Sequence, residues 1–190
     1  IISTAICFYK LYKIPELHLH ASDFSIDLSL DMKLLKNGIP MALMNSITAV
    51  GCMVVQYFVN GLGVIYTSAY SACSKYINLF MQPAATAGLA MSSFTSQNYG
   101  AKRYDRIREG LHVCLSIALI AYVVLGSVMF FFPRALALLM LNGEESIALV
   151  VEFLPICGLM IWGVDSLFVF RNGCQGMGKP LIPMISGVAE

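Results

Sequence analysis

The sequence predicts an all-α protein, a polytopic bundle of transmembrane helices, from its composition and from the distribution of its charges. The 190 residues are 58% hydrophobic and only 12% charged, whereas about a quarter of a soluble domain is charged. The mean hydropathy is +0.74. Charged residues are absent between Lys36 and Lys75, between Lys75 and Lys102, and between Glu109 and Arg134. The net charge of +1 excludes a broadly basic surface for nucleic acid.

The first 37 residues are predicted to hold the end of one helix and then a polar linker. Residues 1–14 are apolar but too short to cross about 30 Å of hydrocarbon, so we interpret them as the tail of a preceding transmembrane helix. A signal peptide is the alternative, although a basic start and a small-residue cleavage site are missing. Residues 15–37 are typical of a cytoplasmic linker between two bundles. Because the sequence begins without Met, we expect it to belong to a longer chain.

Residues 38–190 are predicted to form the transmembrane bundle. The first charge-free stretch is too long for one span, and Asn60-Gly61-Leu62-Gly63 favours a turn within it. A later span ends before Pro133, since proline cannot continue a helix interior. The predicted helices cover about 39–60, 65–97, 105–131 and 145–175, and another begins after 180.

The basic residues predict the orientation of the bundle in the membrane. If the helices alternate in direction, nine basic residues fall in connections on one side, and only Arg134 falls in a connection on the other. The positive-inside rule makes the basic side cytoplasmic and places the connections at 60–64 and 132–145 outside. The nine residues are Lys10, Lys13, Lys33, Lys36, Lys102, Arg103, Arg106, Arg108 and Lys179.

Polar side chains form one stripe along each of the first two spans. At about 100° per residue, each stripe falls within an arc of about 120° or less. The stripes either bond neighbouring helices or line a water-filled cavity for a solute, and the length of the second favours a cavity. Pro83 is either a tolerated kink or a mechanical hinge. The predicted cavity residues in the stripes are Asn45, Thr48, Gln56, Lys75, Asn78 and Gln82.

Asp165 is the most unusual residue, because a carboxylate near the middle of a span costs about 2.5–3.5 kcal/mol on insertion scales. One interpretation is an ion pair with Lys75 or Arg171. The other is a proton or sodium site, or a polar group in the predicted cavity. The spacing of cysteines and histidines predicts no metal site, and no nucleophile or phosphate-loop motif predicts an enzyme.

Several short motifs, taken in order, resemble the MATE family of multidrug and toxic compound extrusion transporters. The resemblance covers about residues 30–190 and is similar in style to the bacterial DinF-like and MepA-like branches. It matches the family's seventh and eighth helices, the loop after the eighth, and the end of the tenth. The motifs are Gly38-Ile39-Pro40, Val59-Asn60-Gly61-Leu62-Gly63, Met81-Gln82-Pro83, Gln97-Asn98-Tyr99-Gly100-Ala101 and Arg171-Asn172-Gly173-Cys174-Gln175-Gly176.

The resemblance implies that residues 38–190 are most of the second of two six-helix lobes and that 15–37 joins the lobes. It implies a multi-pass protein of a bacterial plasma membrane. Its partners would be the lipid bilayer, the first lobe and a drug-like solute, with no nucleic acid. A cationic or amphipathic drug would leave by alternating access in exchange for Na⁺ or H⁺, with no other cofactor.

Two departures from the family pattern bear on the coupling ion. Some Na⁺-coupled members carry an acidic residue at the position of Thr48, and their tenth-helix aspartate is one position away from Asp165. Two other functions stay open: a lipid-linked oligosaccharide flippase of the same superfamily, and a membrane scaffold without transport. A flippase should show a more cationic cavity, and a scaffold needs no ionisable group in mid-membrane.

Overall fold

Apolar runs separated by glycine, proline and charged turns fold into an all-α membrane bundle, which confirms the predicted fold class. The computed structural model describes residues 2–13 and 27–189, and every regular element within these ranges is a helix. The helices are α1 (Ile2–Tyr12), α2 (Leu28–Gly61), α3 (Val64–Phe80), α4 (Gln82–Gly100), α5 (Tyr104–Phe131), α6 (Pro133–Met140), α7 (Glu144–Gly176) and α8 (Leu181–Ala189). Of these, α2, α5 and α7 are long and apolar enough to cross a membrane.

The chain divides into two units, residues 1–36 and 37–190. The first unit contains α1, whose described side chains are exposed, and the first turns of α2. Residues 14–26, which include the first half of the predicted linker 15–37, lie outside the described residues. The interpretation of 1–14 as the tail of a preceding transmembrane helix stays a prediction.

The first span begins earlier than the sequence predicts. α2 starts at Leu28, so residues 28–37 are helical, and the predicted start near 39 is wrong. The side chain of Asp27 explains the earlier start: its Oδ1 accepts the backbone N–H groups of Ser29 at 2.9 Å and Leu30 at 3.3 Å. Such a cap satisfies donors that a helix start leaves unpaired. Pro40 lies inside the helix.

The predicted second helix, 65–97, is interrupted and forms α3 and α4. The interruption is the single residue Met81, which keeps right-handed helical dihedrals of φ −76° and ψ −13°. The N–H of Met81 donates to Ile77 O, and the Met81 carbonyl accepts from Ala85 N, each at 3.0 Å. Pro83 lies in the first turn of α4. Because proline has no N–H and its ring crowds the carbonyl four residues earlier, the helical hydrogen-bond pattern is weakened here, although the bonds of Met81 continue it on both sides.

The later spans end close to their predicted positions, but a short helix lies between them. α5 and α7 begin and end within one residue of 105–131 and 145–175. α6 starts at Pro133, which is favourable at the first turn of a helix although it stops the preceding one. The hydroxyl of Tyr76 in α3 donates to Leu136 O in α6 at 2.8 Å, so the short helix is bound to the bundle.

α7 is the central helix of the second unit, since its buried residues belong to both apolar cores. The first apolar cluster contains Ala69, Ala72, Cys73, Tyr76, Met129, Leu136, Ala137, Ile147, Val150, Leu154 and Ile161. The second apolar cluster contains Ala84, Ala87, Met91, Cys114, Ala118 and Val169. α3 and α6 therefore pack on the N-terminal part of α7, and α4 packs on its C-terminal part, with α5 alongside both.

Glycines allow α4 and α7 to approach closely and fix their relative direction. A Cβ on Gly88 would lie 2.8 Å from Asn172 Nδ2 and 3.1 Å from Phe168 O. Further along, a Cβ on Gly176 would collide with Ser92 O. Later residues of α4 therefore face later residues of α7, so the two helices run parallel. One turn back from Gly88, Ala84 is level with residues 164–168 of α7.

Candidate functional site

Asp165 is buried between the two apolar clusters. It lies one helical turn after Ile161, a member of the first cluster, and one turn before Val169, a member of the second. Its side chain is 1% exposed. The contacts between α4 and α7 place Asp165 at the same height along the bundle as the buried Ala84. Ala84 is close to the interruption at Met81. A carboxyl group is therefore held in apolar surroundings beside the discontinuity of α3 and α4.

The carboxyl group of Asp165 is incompletely satisfied. Its Oδ1 is buried and has no hydrogen-bond partner among the residues that the structure describes. The sequence left open an ion pair of Asp165 with Lys75 or with Arg171. Within residues 2–13 and 27–189, the structure shows neither pair. Lys75 is exposed, and the Nε of Arg171 donates to Ser186 Oγ at 3.2 Å. Because an unpaired buried carboxyl is destabilising, this group is the strongest candidate for a proton or cation site.

Two residues of the first predicted stripe, Asn45 and Thr48, line a groove between α2, α4, α7 and α8. This α2–α7 groove has a volume of about 500 Å³. Thr48 Oγ1 donates to Met44 O of its own helix at 3.1 Å. Gln56, predicted to share the stripe, instead donates through Nε2 to Asn60 Oδ1 at 2.7 Å, near the end of α2.

The α2–α7 groove contains polar residues that the sequence analysis did not select for the cavity. These are Arg171, Asn172 and Gln175, near the C-terminal end of α7. Asn172 Nδ2 donates to Phe168 O at 2.8 Å. Their spacing could have revealed them, because positions 171 and 175 lie on one face of a helix.

The second predicted stripe faces a different groove. Gln82, Pro83 and Thr86 line an α4–α5 groove of about 600 Å³ with Cys114 and Ile117 of α5. Asn78 and Gln82 are exposed, and each donates to a backbone carbonyl four residues earlier: Asn78 to Ser74 O at 2.7 Å and Gln82 to Asn78 O at 3.2 Å. Asn78 thus bonds within α3, and Gln82 of α4 bonds back to α3 across Met81.

The structure thus does not bring the predicted cavity residues together. Asn45 and Thr48 line the α2–α7 groove, Gln82 lines the α4–α5 groove, and Asp165 lines neither. A metal centre has no basis in the described ranges, because they contain no group of three or more His, Cys, Asp or Glu side chains that could hold an ion. The candidate site is therefore Asp165, with a groove on each side of α4.

The sequence is similar to known proteins in two comparisons. A family model described as MatE matches residues 40–189. Over 131 residues the chain is 27% identical to a Bacillus subtilis protein described as "Probable multidrug resistance protein YoeA". That alignment covers 69% of this chain but 28% of the Bacillus protein, so the chain spans well under half of its relative.

Proposed function

The chain belongs to the MatE family, and we propose that it forms part of a membrane transporter that expels cationic or amphipathic drugs. The name of the Bacillus relative, a probable multidrug resistance protein, supports drugs as the solutes. Three helices long and apolar enough to span a bilayer support a multi-pass protein, which we place in a bacterial plasma membrane. Because the chain covers 28% of that relative, the activity belongs to the longer protein that contains it.

The observation that carries the mechanism is the buried, incompletely satisfied carboxyl group of Asp165. A proton removes the charge of such a group, and Na⁺ compensates it, so either ion would stabilise the buried side chain. A cationic drug competes for the same negative charge. Exchange of drug for ion at Asp165 would thus make the transporter an antiporter, with each ligand favouring a different conformation.

The interruption between α3 and α4 supports a conformational change near that site. Met81 and Pro83 lie next to Ala84, which is level with Asp165 along the parallel α7. A proline in a helix lacks one backbone bond, and transmembrane helices use such positions where neighbours compensate. We propose that a small change of angle between α3 and α4 opens one of the adjoining grooves when Asp165 exchanges its ion. Alternating access would follow from that movement.

The proposed function is tested by Asp165→Asn in the full-length protein, with cationic dye efflux measured with and without a Na⁺ gradient and across a pH gradient. Since an interaction with a charged group is worth about 1.5–3 kcal/mol, we expect efflux to fall by about tenfold or more. Membrane insertion should be unchanged, because an amide is less costly to bury than a charge. The conversion Asp31→Asn is the matched control, since Asp31 is exposed in the first turn of α2.

The two gradients identify the coupling ion. Efflux that depends on Na⁺ and is lost in Asp165→Asn supports a sodium site, and dependence on the proton gradient alone supports a proton site. If Asp165→Asn expels the dye at the rate of Asp31→Asn with the same ion dependence, Asp165 is structural and the mechanism is wrong. If the unmodified protein expels no dye, the proposed drug efflux itself fails.

A further inference from the structure

A pocket separate from Asp165 lies near the junction of α2 and α3. Its volume is about 320 Å³, and its walls come from α2, α3 and α7. Tyr66 and Tyr70 of α3 face Glu152 and Phe153 of α7 across it, and aliphatic side chains such as Val59 complete the lining. We call this site the aromatic pocket. Neither polar stripe that the sequence analysis selected contributes to it.

The chemistry of the aromatic pocket is that of a site for an organic cation. Its lining is apolar apart from two tyrosine hydroxyls, a thiol and the carboxylate of Glu152, and it contains no Lys, Arg or His. A concave, mostly apolar pocket with a few polar groups is typical of small-molecule sites, and this volume lies at the lower end of their range. Aromatic faces attract cations, most strongly where water is excluded. A carboxylate beside three aromatic rings therefore selects a positively charged aryl compound over a neutral one.

The carboxylate of Glu152 is available to such a ligand. Among the described residues, no hydrogen bond or ion pair is formed by Glu152, whereas Glu144 lies 3.9 Å from Arg134. Glu152 lies two turns into α7, about 12 Å along the helix axis from Glu144. Because Glu152 is exposed on a helix long and apolar enough to cross a membrane, a bound organic cation would compensate its charge there.

Hydrogen bonds hold the walls of the aromatic pocket together. Ser146 Oγ of α7 donates to Ile65 O of α3 at 3.4 Å. Thr67 Oγ1 of α3 donates to Gly63 O at 3.0 Å and approaches Val59 O of α2 at 3.4 Å. These bonds join α7 to α3, and α3 to the end of α2, beside the pocket.

We propose that the aromatic pocket binds lipophilic organic cations that carry aryl groups, at a site distinct from Asp165. The ligand is the solute class of the proposed function, so the inference rests on that function. Under the sidedness that the basic residues predict, the pocket lies towards the external end of the bundle and would hold the drug before its release. Binding to the pocket is measurable without transport, which separates the two proposals.

The test uses a pair of nearly isosteric probes on the purified full-length protein. Methyltriphenylphosphonium carries a positive charge, and triphenylphosphine oxide has the same three aryl groups but is neutral. For Glu152→Gln we expect the phosphonium affinity to fall by about tenfold or more, with little change for the oxide. Glu145→Gln is the matched control, because Glu145 is an exposed acid in the first turn of α7 and does not line the pocket.

A second variant covers the case in which Glu152→Gln fails to fold. Tyr70→Leu removes one aromatic wall and should weaken phosphonium binding, whereas Tyr57→Leu, on the exposed part of α2, should not. Equal phosphonium affinity in Glu152→Gln and Glu145→Gln would overturn the proposal. So would equal affinity of the unmodified protein for both probes, which would indicate an apolar interface covered by another part of the protein.

The two proposals fail in different ways. If efflux persists in Glu152→Gln while phosphonium affinity also stays unchanged, the aromatic pocket is excluded and the proposed function stands. If the unmodified protein shows no efflux, but phosphonium binding depends on Glu152 and not on Asp165, the pocket is supported and the transport proposal is excluded.

Discussion

At the scale of single residues, Asp165 differs from the other buried polar groups of the bundle. Thr95 Oγ1 is also buried without a hydrogen-bond partner in the part of the chain that the structure describes. A lone hydroxyl costs about 1–3 kcal/mol when unpaired, and a charged group costs more. A carboxyl, unlike a hydroxyl, removes most of this cost by binding a proton or a metal cation. The same burial therefore leaves an unpaired hydroxyl at Thr95 and, at Asp165, a carboxyl group whose energetic cost a bound ion would reduce.

Gly176 is a residue at which the packing allows no side chain. A Cβ there would collide with Ser92 O and lie 2.9 Å from Thr95 Cβ. Because backbone cannot move aside easily, we expect Gly176→Ala to destabilise the bundle by about 1–3 kcal/mol. The measurement is the thermal unfolding midpoint of the purified full-length protein, which should fall by several degrees.

Gly163 in the same helix provides the control. A Cβ on Gly163 would meet nothing within 4 Å. Gly163→Ala should therefore raise the free energy of unfolding by about 0.5–1 kcal/mol through helix propensity alone. The two substitutions are chemically identical, and opposite signs are expected. Equal midpoints for the two variants would contradict the close approach of α4 and α7.

The sequence predicts part of the candidate site. It identifies Asp165, because a charge inside a long apolar run is visible without any structure. It does not identify the surroundings of the polar stripes, since a helical projection gives the face of a residue but not the helix opposite that face. Asn45 and Gln82 therefore share a predicted cavity but lie in different grooves. Glu152 was not among the predicted site residues, because the tyrosines facing it come from a distant part of the sequence.

At the scale of the helical elements, the break between α3 and α4 is either a tolerated kink or a hinge. A substitution at Pro83 distinguishes these two interpretations. In the full-length protein, Pro83→Ala restores a backbone N–H and should merge α3 and α4 into one helix. If the break is a hinge, thermal stability should rise while dye efflux slows severalfold. Both are measured on the same preparation, by thermal unfolding and by transport in vesicles.

Pro155→Ala is the control for the hinge, because Pro155 also lies within a helix but α7 continues through it without interruption. We expect a smaller change in efflux for this variant. Unchanged efflux in Pro83→Ala would show that Pro83 is only a tolerated kink, as the alternative interpretation holds.

The helix boundaries show which local features a single sequence makes visible. α5 and α7 lie within one residue of their predicted bounds because charges and a proline delimit them. The start of α2 is missed because a single side chain, Asp27, caps the helix before any apolar run begins. α6 is missed because its eight residues are too few to span a membrane, and its place in the bundle is visible only in the structure, from its bond with Tyr76 and the burial of Leu136 and Ala137.

At the scale of the whole bundle, charged residues of the second unit lie in the connections at its two ends. α4 and α7 run parallel, so Lys102 and Lys179, which follow their C-terminal ends, lie at one end of this unit. The N-terminal ends of α3 and α7 are joined at the other end by the bond from Ser146 to Ile65 O, close to Arg134 and its neighbour Glu144. Under the positive-inside rule we predict that the first end is cytoplasmic.

This arrangement predicts opposite accessibility for two connections of the full-length protein in intact cells. In a background without native cysteines, a single cysteine at Asn142 should react with a membrane-impermeant maleimide added outside. A cysteine at Lys102 should react only after the membrane is opened, because its loop follows α4 at the basic end. Translocation of the basic residues of this loop across the bilayer is opposed by the membrane potential and by the positive-inside rule. External labelling at both positions would contradict the orientation, and with it the placement of the aromatic pocket towards the outside.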